Sequence, residues 1–172
     1  KALEPIGIRP VVVGGAAVEF YTMGHWGTMD IDFVMIINED VKTTMANLGF
    51  VKEGRYWRIP NTDIQVEFPE DTLTGSMDRI EPVDVEGMVV YYIGREDMIL
   101  KRCVEASACH DVEAEDQAVA IMTAHYDELD WSYCHKKAHE YQCGEKFTEL
   151  QKIAKRAKNK WEKESNSGSP KI

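Results

Sequence analysis

Asp30 and Asp32 stand two residues apart in Met29-Asp30-Ile31-Asp32-Phe33, a stretch in which acidic and apolar residues alternate. Side chains on a β-strand alternate between its faces, so both carboxylates project to one side and Ile31 and Phe33 to the other. Two like charges side by side repel, and folding gains nothing from the pairing. A cation between them converts the repulsion into shared coordination, and hard Mg²⁺ takes carboxylate oxygens and water. Upstream, Gly14-Gly15 ends the β-branched run Val11-Val12-Val13. Two residues without a Cβ let backbone amides approach a phosphate, or make a tight strand-to-helix turn; both readings hold together. Thr28 is placed to hydrogen-bond near the cation or to cap the strand. Such a set suits phosphoryl transfer, in which a divalent ion draws triphosphate oxygens and an attacking hydroxyl together.

These side chains need a frame, and the rest of the chain predicts one. Residues 11–13 read as a buried strand and 16–23 as a helix with Ala16, Ala17, Phe20 and Tyr21 on one side, stopped by Gly24. Residues 30–37 read as a second strand with Ile31, Phe33, Met35 and Ile37 on its apolar face. Asp40 is the expected cap of a helix bearing Val41, Met45 and Leu48, ended by Gly49. Residues 50–59 read as one strand, Pro60-Asn61-Thr62-Asp63 as a turn, and 64–68 as a returning strand. On that strand Ile64, Val66 and Phe68 share one face, leaving Gln65 and Glu67 on the other. Residues 69–87 read as a long acidic connection, and 88–93 as the last strand.

After Gly94 the periodicity becomes helical. Residues 95–108 carry Ile99, Cys103 and Ala106 on one face; residues 112–125, behind an Asp111 cap, carry Ala118, Ile121, Met122 and His125. A third helix, capped by Asp130 and ending at Gly144, has Trp131, Cys134, Ala138 and Tyr141 as its stripe. The last helix has Phe147, Leu150, Ala154, Ala157 and Trp161, and its residues 145–164 carry a net charge of +3. The expected class is therefore α+β, a small mixed β-sheet core with flanking helices over 1–93. A helical bundle follows over 94–164, and a flexible polar tail over 165–172. No internal repeat is visible.

The chain has 172 residues, enough for one domain or two small ones, and a hydrophobic content of 44% ordinary for a globular protein. A formal charge of −10 argues against a general nucleic-acid-binding surface while leaving room for a local basic groove. Four cysteines without a regular framework point to a reducing compartment. The apolar runs are too short to cross a bilayer, and no signal peptide is visible. Lys1 as first residue predicts that the sequence lacks its natural start, and cytoplasm is the expected location.

Gly14, Gly15, Thr28, Asp30, Ile31 and Asp32 resemble the polymerase-β-like nucleotidyltransferase superfamily, in its branch with Gly-Gly before the paired aspartates. Within that branch the chain is similar to uncharacterised proteins grouped with abortive-infection toxins and lincosamide nucleotidyltransferases. The resemblance covers about residues 5–125. It implies Mg²⁺ or Mn²⁺ on Asp30, Asp32 and a third carboxylate from a later strand, for which Glu67 fits the alternation and Asp63 is the next choice. It implies a nucleoside triphosphate as substrate near Gly14, Gly15 and Thr28, and a hydroxyl acceptor that the residues do not name. Lys101 resembles a family lysine that reaches the triphosphate, with a solvated helix face as its other reading. Trp26 stands where the family often has Arg two residues before the Thr; it can stack on a base but cannot neutralise phosphate.

Three readings follow. The first is a metal-dependent enzyme moving a nucleoside monophosphate onto a small molecule, RNA or protein. The second is a toxin-type member of this kind, held by an antitoxin partner. The third is an inactive nucleotide-binding or protein-interaction module. His135, His139 and Cys143 recur at i, i+4, i+8 on one helix flank beside an apolar stripe, where a structural or surface role outweighs metal binding.

Overall fold

The computed structural model describes residues 1–167, with side chains placed through 165. The chain divides into two compact units, Lys1–Gly94 and Arg95–Ile172.

The first unit is built on three consecutive valines. Val11–Val13 (β1) are all buried, because β1 lies inside the sheet with both faces covered. Gly14–Tyr21 (α1) follows without a linker, so the two glycines form the first turn of the helix, two residues earlier than the periodicity indicates. Ile31–Val34 (β2) runs antiparallel to β1, pairing Val13 with Asp32 and Val11 with Val34. It is shorter than the expected 30–37 because its partners end there, β1 opposite Asp32, Phe33 and Val34 and the later strand 65–67 opposite Ile31 and Asp32; Asp30 sits just before the strand.

Glu39–Asn47 (α2) is capped by Asn38, whose Oδ1 accepts from the Val41 N–H at 2.9 Å. Asp40, the expected cap, instead places its charge in the first turn with Glu39, where the helix dipole favours it. The expected strand over 50–59 is a hairpin, Val51–Glu53 (β3) and Tyr56–Arg58 (β4), closed by Gly54-Arg55. Gly54 has φ +62°, the positive φ that a two-residue hairpin loop demands at its first position in a type II′ turn. Gln65–Glu67 (β5) pairs antiparallel with β4 and parallel with β2.

The acidic connection hides a further strand. Glu81–Val85 (β6) forms a hairpin with Met88–Tyr92 (β7) through Glu86 and Gly87, both at positive φ. Pro82 is tolerated there because β6 is an edge strand. The result is one mixed seven-stranded sheet, ordered β3-β4-β5-β2-β1-β7-β6. On one side Val41 and Met45 of α2 pack with Met35, Trp57 and Val66. On α1, Ala17, Val18 and Tyr21 are buried, and the Tyr21 hydroxyl donates to the Ile93 carbonyl at 2.6 Å.

The second unit contains Arg95–Cys109 (α3), Val112–Ala124 (α4), Trp131–Glu140 (α5) and Gly144–Ser167 (α6). Asp111 caps α4 and Asp130 caps α5, accepting from the Ala114 and Tyr133 N–H groups. α5 ends at Glu140, short of the expected Gly144, and Gly144 opens α6 instead. Cys103, Ala106, Ala118, Ile121, Met122, Cys134, Phe147, Leu150 and Ala154 are buried. The expected stripe on α6 stops there, since Ala157 and Trp161 are exposed. Polar ties among the helices include the Tyr133 hydroxyl, which donates to Asp97 Oδ1 at 2.6 Å, and Glu96 Oε1, which accepts from the Asp130 N–H at 3.1 Å. α6 continues through Ser167, three residues into the expected tail; the remainder of that tail lies outside the described residues. No helix among the described residues is long and apolar enough to cross a membrane.

Candidate active site

The register of the sheet carries one row of residues across five strands. Val13 on β1 faces Asp32 on β2, Asp32 faces Glu67 on β5, Glu67 faces Tyr56 on β4, and Tyr56 faces Glu53 on β3. Directly opposed residues project to the same face, so Asp32, Glu67 and Tyr56 stand side by side. Val66 points the other way into the apolar cluster with Trp57, which fixes the face that Glu67 presents. Asp30 precedes Asp32 by two residues and joins the same face. The outcome is a triad: one ligand oxygen from each of Asp30, Asp32 and Glu67 lies within 4.8 Å of the others, all three side chains half-buried.

Two close approaches hold this triad. Gly14 has φ +60°, and a Cβ on it would fall 1.9 Å from Asp32 Oδ2. A Cβ on Gly15 would fall 2.8 Å from Thr28 Oγ1. The glycines therefore let the start of α1 press against Asp32 and Thr28, which a side chain at either place forbids. Thr28 Oγ1 in turn donates to Asp30 Oδ1 at 3.0 Å, and its N–H donates to Glu19 Oε2 at 3.3 Å. Thr28 thus orients one carboxylate directly.

Hard anionic oxygens at this spacing fit a divalent cation. Oxygens around one Mg²⁺ at about 2.1 Å lie up to about 4 Å apart, a small adjustment from the observed triad. Among the described residues this is the only convergent group of three or more Asp, Glu, His or Cys side chains. His135 instead packs its ring against Phe147, with centroids 5.1 Å apart, and Cys143 is buried. Asp63 lies exposed in the turn before β5 and lines an open cavity of about 480 Å³ with Asp30, Thr28, Glu19, Phe20 and Tyr92. Lys101 lies on α3 in the second unit.

Arg55 was not singled out by the sequence. Its Nε lies 3.4 Å from Glu67 Oε2, and its guanidinium lies 4.7 Å from the centroid of the Tyr56 ring. A hydrogen bond to the Tyr56 hydroxyl, then the charges of Glu67 and Asp30, hold it above the ordinary arginine range. The available signal was Gly54: read as a hairpin turn rather than mid-strand, it brings Arg55 to a loop and Tyr56 opposite Glu67.

This mixed sheet with the carboxylates on one face is a nucleotidyltransferase fold. A nucleotidyltransferase-like protein from Paracoccidioides brasiliensis superposes with a TM-score of 0.54 at 12% identity, over 87% of each chain. The model of the family described as nucleotidyltransferase of unknown function (DUF6036) matches residues 5–167, and the chain belongs to that family. The expected polymerase-β-like nucleotidyltransferase resemblance and α+β class both stand. Two structures of the antibiotic-resistance factor ANT(2″)-Ia are similar as well. The solution structure gives a TM-score of 0.43 at 14% identity, covering 96% of this chain and 92% of that one. The crystal complex with adenylyl-2″-tobramycin gives 0.46 at 15%, covering 91% and 92%. Among curated proteins no sequence matches.

Proposed function

We propose that this nucleotidyltransferase is metal-dependent and moves a nucleoside monophosphate from a nucleoside triphosphate to an acceptor hydroxyl, with Asp30, Asp32 and Glu67 holding Mg²⁺ or Mn²⁺. The observation that carries this reading is the convergence of one oxygen from each of three carboxylates within 4.8 Å, with Gly14 pressed against Asp32 at a distance that only a missing Cβ permits. The cation, when bound, supplies charge neutralisation for the triphosphate and a lower pKa for the attacking hydroxyl. The protein's own groups do the rest. Gly14 and Gly15 open the backbone amides of α1 to the phosphates, Thr28 fixes the Asp30 carboxylate, and Glu67 receives the hydroxyl proton. The acceptor oxygen bonds to the α-phosphorus as the bond to the bridging oxygen breaks, and pyrophosphate leaves with that electron pair. Lys101 is the cation of the second unit that the family resemblance assigns to the triphosphate. A toxin-type role with an antitoxin partner rests on that resemblance alone and adds no residue to the site.

Calorimetry with Mg²⁺ and a non-hydrolysable ATP analogue tests the reading, alongside transfer of label from α-labelled NTP into a cell extract. Saturable binding by the wild type, abolished in Asp30→Asn, is the expected result. Equal binding by the two proteins would remove the metal triad from the mechanism. Absence of nucleotide binding by the wild type at millimolar concentration would leave an interaction module.

A further inference from the structure

The carboxylate row has two unlike flanks. Gly14, Gly15 and Thr28 lie on the side of Asp32, toward β1. On the side of Glu67 lies the β3–β4 hairpin, which presents Tyr56 next to Glu67 and Arg55 at its tip. Arg58, two residues beyond Tyr56, shares the same face and pairs with Gln65 on β5. Its guanidinium lies 5.5 Å from the Tyr56 ring centroid and its Nη1 lies 3.7 Å from Glu53 Oε2.

On this flank two guanidinium groups, each paired with one carboxylate, Arg55 with Glu67 and Arg58 with Glu53, stand in the open, with the Arg55 side chain 68% and the Arg58 side chain 48% exposed. Ion pairs this exposed contribute little to folding, so stability gives a weak account of two guanidinium groups around one tyrosine. Their chemistry gives a better one. A guanidinium fork matches phosphate oxygens bidentately, and a phenol ring offers a face for a planar group or a sugar. The nucleotide is expected on the glycine flank; whatever reaches Glu67 from the other side first meets Arg55, Tyr56 and Arg58. A Glu67 oxygen given to a cation would weaken its pair with Arg55 and leave that guanidinium more open to a phosphate.

We infer that Arg55, Tyr56 and Arg58 form the acceptor subsite, and that the acceptor is a hydroxyl compound bearing a phosphate group. This rests on the nucleotidyl-transfer reading above. Two sources share that chemistry, a small sugar phosphate and the 3′ end of a ribonucleotide strand. Binding of ribose 5-phosphate, of a fluorescein-labelled tetraribonucleotide and of ribose is measured on the full chain with Mg²⁺ and the ATP analogue. At least one phosphate-bearing probe is expected to bind ten times more tightly than ribose, and which one does so names the source. Arg55→Gln and Arg58→Gln each reduce that affinity about tenfold, with melting temperature retained and analogue affinity changed less than twofold. The inference is overturned when neither phosphate probe outbinds ribose, or when Arg55→Gln weakens the analogue and spares the probes. The latter outcome assigns Arg55 to the triphosphate. Failure of the wild type to bind the analogue counts against the nucleotidyl-transfer reading alone, because the phosphate probes report on the hairpin independently.

Discussion

Gly14 shows how much of the site rests on one missing methyl group. Its φ of +60° disfavours any L side chain, and a Cβ would collide with the Asp32 carboxylate. Gly14→Ala should therefore cost about 1–3 kcal/mol in urea unfolding and abolish Mg²⁺-dependent nucleotide binding, by displacing Asp32 or the start of α1. Asp32→Asn separates the two effects. It removes a charge from a triad that repels itself without metal, so metal binding should vanish while the melting temperature of the metal-free protein stays level or rises. At this scale the sequence was informative wherever period-two alternation applies. Asp30, Asp32 and Glu67 could be placed on one face because their apolar neighbours point to the other. Arg55 could not, since a turn residue has no periodicity to read and its partner Glu67 is distant in sequence.

The β3–β4 hairpin is the element on which both halves of the proposal depend. Trp57 is 6% exposed, pairs with Val66 across the ladder and packs in the cluster beneath the sheet, while Tyr56 and Arg58 face the site. A single buried ring thus anchors the strand that presents Tyr56 and Arg58. Trp57→Ala should lower the free energy of unfolding by about 3–5 kcal/mol, measured by urea denaturation. A change below about 1 kcal/mol would mean that the hairpin is not cooperative with the sheet. The elements that the sequence revealed were those with a dense local signal: three valines for β1, five consecutive apolar or aromatic residues for β7, and aspartates ahead of α4 and α5. β6 is hard to read from the sequence because Glu81-Pro82-Val83-Asp84-Val85 is an edge strand, where Pro and charge are tolerated and two valines are the whole apolar signal. The β3–β4 hairpin reads as one strand because a lone Gly54 inside the run 50–59 fits a strand interior as readily as a turn.

Across the whole molecule, the distribution of cations decides how a chain of net charge −10 can hold a polyanion. The residues proposed to hold metal and the glycines beside them all lie in Lys1–Gly94, and Trp26 stands where the sequence resemblance implies an Arg. Arg55 and Arg58 sit on the Glu67 flank, toward β3 and β4, and the glycines lie on the other side of the carboxylate row, toward β1. Lys101 on α3 belongs to the second unit, and the family resemblance gives it to the triphosphate. A charge-assisted contact to phosphate of this kind contributes about 1–3 kcal/mol, so Lys101→Ala should weaken the Mg²⁺-supported ATP analogue about 5- to 150-fold in calorimetry. Arg55→Gln should leave the same affinity nearly unchanged, and the double substitution should equal Lys101→Ala alone, since the two cations serve different substrates. An analogue affinity indifferent to Lys101 would confine nucleotide binding to the first unit, with metal and backbone amides supplying all of the charge compensation.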